Sequence, residues 1–176
     1  MDKRWMAMVM GALLVGILVG GVVWARPGQS AQAADHLRKL TIPPAFFHPN
    51  LPGVDYANGG NRMWVNSGIG EFFAPVVFPC LPSVTVERVI LTANDQHSGL
   101  GADACVYLYR TKPSQGIKKQ MAFVCSSGSG AGAVEYIDDS INYPVVWPSQ
   151  GPYVLLGIYG TDIKVYGIQI EYKRNI

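Results

Sequence analysis

From residue 40 onward the apolar positions of the chain alternate with polar ones instead of recurring at helical spacing. Short runs rich in Val, Ile, Phe and Tyr are separated by Gly, Pro, Asn and Ser, and no stretch sustains a 3.6-residue apolar period for three turns. Successive side chains of an extended chain point to opposite faces, so such runs bury one face and wet the other. The pattern predicts strands near 42–48, 61–65, 70–78, 83–93, 103–111, 118–126, 133–138, 152–159 and 163–173, with a short piece at 145–147. In the last long run Tyr166, Ile168, Ile170 and Tyr172 alternate with Gly167, Gln169, Glu171 and Lys173, which assigns the first set to a core. Over 70–78 the apolar face is Phe72, Ala74, Val76 and Phe78. Pro75 on the other side calls for an edge or a bulge, because proline brings no N–H to a ladder. Val106 and Leu108 share one face of their strand while Tyr107 and Tyr109 share the other, as expected of a central strand with partial cover on its second side. Many short strands without helices describe an all-β, two-sheet antiparallel β-sandwich of jelly-roll type over 40–176, in one domain.

The first residues follow a different pattern. Asp2, Lys3 and Arg4 precede 20 residues, 5–24, that carry no ionisable side chain. A helix of that length spans about 30 Å, the thickness of a bilayer's hydrocarbon layer. Residues 1–26 therefore predict one N-terminal transmembrane helix with its start in the cytoplasm. The alternative is a secretory signal cleaved near Ala33, after Ala31-Gln32-Ala33. Ala12, Gly16 and Gly20 recur every four residues and predict a face for helix packing. Residues 27–39 read as a tether, and both alternatives place the sandwich outside the cytoplasm.

Charge narrows the partners. Residues 34–176 hold 11 Lys plus Arg and 11 Asp plus Glu, a zero balance that excludes the dense basic field of a nucleic-acid binder. The three His, at 36, 48 and 97, form no pair at metal-ligand or catalytic spacing, and three Cys do not make a zinc cluster, so neither a metal nor another cofactor is expected. Gly128-Ser129-Gly130 is a turn and lacks the strand-to-helix setting of a nucleophile elbow. Asp95 and Asp103 bracket a polar, glycine-containing loop whose oxygens suit a cation, but the same residues are ordinary turn formers and the calcium-loop pattern is missing. The region 34–176 contains 17 Phe, Trp and Tyr. Phe46, Phe47, Trp64, Phe72, Tyr143, Trp147, Tyr153 and Tyr159 fall near strand ends or loops, where aromatics either fill a core or meet a partner or a sugar. Trp147, between Val146 and Pro148, is the residue expected at a surface contact.

Cys105 and Cys125 are expected to form a disulfide across adjacent antiparallel strands. If Thr111 faces Lys119 across the connection 112–117, the same register sets Cys105 opposite Cys125, Tyr107 beside Phe123 and Tyr109 beside Met121. A one-residue slip puts the sulfurs on opposite faces. Cys80 is then left over. The competing reading is three buried free thiols.

The stretch 45–172 resembles a loose group of secreted bacterial β-sandwich domains without assigned activity. The resemblance rests on the apolar run Ala74-Pro75-Val76-Val77-Phe78-Pro79, the strand start Val84-Thr85-Val86 and Asn94-Asp95 at its end. It also rests on Val106-Tyr107-Leu108-Tyr109-Arg110, on Met121-Ala122 followed by Ser126-Ser127-Gly128, and on the close Val165-Tyr166-Gly167-Ile168-Gln169-Ile170-Glu171-Tyr172. It implies a sandwich and carries no catalytic residue across. The expectation from the sequence is a non-catalytic structural or accessory module on the outer face of the cytoplasmic membrane, a single-helix subunit of an assembly with protein partners at or in the membrane. The alternative is a secreted carbohydrate-binding β-sandwich whose partner is a polysaccharide.

Overall fold

A computed structural model describes residues 36–79, 83–97, 103–128 and 131–175. The strands are β1 (Arg38–Ile42), β2 (His48–Pro49), β3 (Tyr56–Asn58), β4 (Met63–Val65), β5 (Gly70–Pro75), β6 (Ser83–Asp95), β7 (Ala104–Lys112), β8 (Ile117–Cys125), β9 (Val134–Asp138), β10 (Val145–Val146), β11 (Gly151–Ile158) and β12 (Ile163–Asn175). Among the described residues they form two sheets. One has seven strands and is built on β6 paired with β12, with β9 and β10 on the far side of β6 and β1 and β4 on the far side of β12, while β3 pairs with β4. The other has five strands in the order β2, β5, β11, β7, β8, and all the pairings are antiparallel.

Alternation places the core between the sheets. Val86, Val89, Leu91, Val165, Ile168 and Ile170 come from the first sheet, and Phe72, Val106, Leu108, Val154, Leu156 and Ile158 from the second; all are buried in one apolar cluster. Packing apolar faces of this size is the main force holding the two layers together. The inward set of β12 differs from the one expected. The register shifts between Val165 and Gly167, so Ile163 and Val165 point inward before the bulge, Ile168, Ile170 and Tyr172 after it, and Tyr166 is only half-buried. Gly167 sits at φ 151°, where a side chain is strained, and a β-carbon there would stand 3.2 Å from the Ile42 carbonyl oxygen.

The strand expected over 42–48 is two strands separated by a single 3-10 turn, Pro44–Phe46. Two consecutive prolines at 43 and 44 supply no amide hydrogens for a ladder, and Phe46 and Phe47 bond back to their carbonyls. β1 accordingly begins at Arg38, earlier than the pattern suggested, and pairs with β12 through Arg38↔Tyr172 to Ile42↔Ile168. The pattern also missed β3, three residues whose hairpin with β4 turns at Gly59 and Gly60, Gly60 at φ 83°. Pro75 ends β5 at a point where β2, which pairs only with Phe72 and Phe73, no longer accompanies it.

The expected two-sheet sandwich is present, and among the described residues it is not accompanied by the transmembrane or signal helix expected ahead of it. Among the described residues the fold is all-β, and its helical pieces are two three-residue 3-10 turns, Pro44–Phe46 and Pro113–Gln115, each about 6 Å long. No helix of the described residues is long and apolar enough to cross a membrane, which takes roughly 20 apolar residues. No helix of the described residues supports the expected single-helix membrane subunit, its partners at or in the membrane or the single-pass placement. Residues 1–26 with Ala12, Gly16 and Gly20, the cleavage position near Ala33, and Cys80 lie outside the described residues.

Candidate functional site

The site follows from the alternation in the five-stranded sheet. Because Val106 and Leu108 of β7, Val154 and Leu156 of β11 and Phe72 and Ala74 of β5 fill the core, the residues between them must face outward. Those residues are Tyr107, Tyr109, Tyr153, Leu155 and Phe73, joined by Phe123 from β8 and His48 from β2. The register sets Tyr109 opposite Tyr153, Tyr107 opposite both Phe123 and Leu155, and Phe73 opposite both Leu155 and His48. An apolar row thus crosses the sheet from edge to edge.

Its rings touch. Tyr107 and Phe123 have centroids 4.7 Å apart, Tyr107 and Tyr109 lie 6.2 Å apart at 12° between planes, and Tyr109 and Tyr153 lie 5.3 Å apart at 25°. At the other end His48 and Phe73 are 6.1 Å apart. Phe123 is 45% exposed and Phe73 40% exposed, His48 is exposed at the sheet edge, and Tyr107, Tyr109, Tyr153 and Leu155 are half-buried. Tyr159, just beyond β11, hydrogen-bonds Tyr107 and folds back over Gly157. Burial, and then the neighbouring Tyr107 and Glu71, push its phenol above the usual tyrosine range, so it stays neutral at physiological pH. Lys118 holds its ammonium 4.0 Å above the Tyr109 ring and 5.7 Å from that of Tyr153. Its hydrogen bond with Tyr153 raises its pKa, so it is a cation across the neutral range. The arrangement offers apolar ring surface with hydroxyls, one cation and one carboxylate around it.

The disulfide stands at the end of this row. Cys105 and Cys125 are bonded, with α-carbons 4.1 Å apart, and Tyr107 stands beside Phe123 as the register argument required. Beyond Leu108 the register shifts, so Tyr109 faces Gln120 instead of Met121 and Thr111 faces Lys118 instead of Lys119. The extra residue is Met121, fully buried, its carbonyl accepting the Asn142 amide at 2.8 Å. Turning a thioether inward is what the bulge achieves.

The other candidates are placed apart from the row. Trp147 is 53% exposed in a tight turn, where its backbone amide donates to Gln150 Oε1 at 3.1 Å, and it borders an apolar cleft of about 400 Å³ with Val76, Val77 and Pro152. Asp95 is buried, and its carboxylate accepts the Ser126 hydroxyl and, at 3.1 Å, the His97 amide, while Ser126 Oγ accepts the Ala104 amide at 2.8 Å. That network ties the end of β6 to the start of β7. Asp103 contributes a backbone carbonyl to the Tyr159 amide, and no group of three or more His, Cys, Asp or Glu among the described residues is placed to hold a metal ion. Of the aromatics singled out in the sequence, Phe47 and Phe72 are core, Phe46 and Tyr143 are exposed elsewhere, and Tyr153 and Tyr159 join the row. Phe73, His48, Glu71 and Lys118 were missed. The signal that was present is the spacing of Tyr107 and Tyr109 against Val106 and Leu108.

No family model matches the chain, and no curated protein does. Solved structures similar to it include an isomalto-dextranase of Arthrobacter globiformis T6 in complex with panose, at 14% identity and a TM-score of 0.40 over 75% of this chain. The chain spans 23% of that protein's length. A xylan-binding module is similar at 8% identity and a TM-score of 0.42, over 77% of this chain and 97% of the module. The resemblance to secreted β-sandwich domains is a weak one of fold.

Proposed function

We propose that this protein is a non-catalytic carbohydrate-binding β-sandwich that works outside the cytoplasm and holds a polysaccharide on the outer face of its five-stranded sheet. The observation that carries the reading is the aromatic row from Phe123 through Tyr107, Tyr109 and Tyr153 to Phe73 and His48. A solvent-facing sheet surface needs no such concentration of rings, and leaving them wet forgoes about 25 cal/mol for each Å² of apolar area. Sugar rings have an apolar C–H face that covers aromatic carbon and a hydroxyl rim that reaches the polar atoms around it. The strands are already in place, so little ordering opposes binding. The Cys105–Cys125 disulfide fits an oxidising compartment.

Affinity electrophoresis of the full chain in gels containing soluble polysaccharides tests the reading. Retardation by at least one polysaccharide is expected, with Tyr109→Ala weakening it about tenfold, roughly 1.4 kcal/mol. Trp147→Ala serves as the comparison because that residue lies off the row. Binding abolished by Trp147→Ala and untouched by Tyr109→Ala would move the site to the Trp147 cleft, and no retardation by any polysaccharide would end the proposal.

A further inference from the structure

Resting on that reading, we infer that the ligand is the interior of a linear, uncharged polysaccharide, laid across the strands of the five-stranded sheet over about four sugar rings. The outer face of that sheet is banded. Phe123, Tyr107, Leu155, Phe73 and His48 stand opposite one another in register and form one band, and Gln120, Tyr109, Tyr153 and Pro75 form the next. Polar residues border the pair, with Glu71 beside Gly157 on one side and Lys118 opposite Thr111 on the other. Strands lie about 4.8 Å apart and alternate residues about 7 Å apart along a strand, so the first band is roughly 19 Å long and the pair only about two side chains wide. A surface of that shape fits an extended chain running perpendicular to the strands, each of whose rings advances it by roughly one strand spacing.

Exposure sets the length. Of the Phe and Tyr rings in the first band, Phe123 and Phe73 are exposed and Tyr107 is half-buried. The two Phe sit on β8 and β5, three strand intervals or about 14 Å apart. Much of the apolar area still to be covered therefore lies toward the two ends of the band, and a mono- or disaccharide reaches only one of them. β8 and β2 are the edge strands of the sheet, so the band runs off it on both sides and a long chain continues past. Charge sets the class. Lys118 holds a cation over Tyr109, Glu71 takes a hydrogen bond from Asn50 at 3.3 Å, and Asp138 accepts the amides of Phe123 at 2.8 Å and Ser140 at 2.9 Å. A polyanion would gain one lysine and meet two carboxylates. A polycation would meet that lysine and compete for carboxylates whose oxygens already take hydrogen bonds. The hydroxyls of a neutral glycan donate to the carboxylates and accept from the ammonium, so both signs serve it.

Calorimetric titration of the full chain decides the matter, with cello-, xylo- and manno-oligosaccharides of one to six units, soluble polymers of the same linkages, polygalacturonate and chitosan as probes. At least one neutral series should bind, its affinity rising about tenfold or more from dimer to tetramer and levelling beyond, with the polymer of that series as tight per site as the hexamer. Phe123→Ala and Phe73→Ala, both at exposed positions, should each weaken the tetramer about fivefold and the dimer less than about twofold, with an unchanged circular-dichroism spectrum. A dimer as tight as the tetramer, a tetramer indifferent to both substitutions, or oligomers that bind where their polymer does not would overturn the extended interior site. Tighter binding of polygalacturonate or chitosan would overturn the uncharged ligand. Each of these results leaves the carbohydrate reading standing, whereas failure of every glycan to bind would remove this inference together with that reading.

Discussion

Gly157 shows how one residue shapes the proposed binding face. It lies on the outer side of β11 between Glu71 and Cys105, and a β-carbon there would come within 2.6 to 2.7 Å of the Tyr159 ring and hydroxyl. Tyr159 can reach Tyr107 only because that atom is missing. Gly157→Ala should keep the fold, since Tyr159 is a mobile side chain and not backbone, but should displace its ring and disturb the row. The expected outcome is a loss of about 1 kcal/mol in stability together with weaker polysaccharide binding. Thermal unfolding and affinity electrophoresis of the variant measure both, and an unchanged affinity would detach Tyr159 from the site.

At the level of elements the β7–β8 hairpin combines three devices: a disulfide at one end, a bulge in the middle and the 3-10 turn Pro113–Gln115 closed by Gly116 at φ 62°. The disulfide joins residues 20 apart in sequence, and closing a loop of that size restricts the unfolded chain by about 3 kcal/mol. The double variant Cys105→Ala and Cys125→Ala should lower the unfolding free energy by about that amount in urea titration. Register should survive, because a slip would expose Val106, Leu108 and Val124 and bury Tyr107 and Phe123. Amide exchange that stays slow along β7 would confirm this, and uniform loss of protection there would show that the disulfide sets the register.

At the scale of the whole fold, Lys118, Tyr136 and Tyr159 among the described residues have proton affinities shifted upward, all in the alkaline range. Burial raises Tyr159, burial and then Asp95 raise Tyr136, and the Tyr153 hydrogen bond raises Lys118. A group whose folded pKa is raised lends its stability in full below its unfolded value and loses it as pH climbs through the folded one. The unfolded values are 10.0 for tyrosine and 10.5 for lysine, so these three groups should leave stability flat through neutrality and reduce it above about pH 10. Urea midpoints measured from neutral to strongly alkaline pH should follow that course, and tyrosinate absorbance should show some tyrosines ionising late. A decline beginning near neutrality would assign the pH dependence to other groups.

The sequence alone determined what depends on local parity. Period-two patterning located most of the strands, the face of β5 that meets the core, and the pairing of Cys105 with Cys125, because alternation is a property of the extended backbone and a slip of one residue inverts every side chain. It also set Tyr107 and Tyr109 on one side of β7. What it left open was whether that side met water. That depends on which strands lie beside β7 and on what stands opposite in register, and β5 and β11, which carry Phe73 and Tyr153 to the row, come from 30 or more residues away in either direction. The bulges at Leu108/Tyr109 and Val165/Gly167 were equally out of reach, since an extra residue in a ladder answers to packing across the sheet and not to the local pattern. Only the tertiary structure could gather aromatics from separate strands onto one face and set the Lys118 ammonium above them, because spatial neighbours in a sheet are fixed by pairing and not by sequence distance.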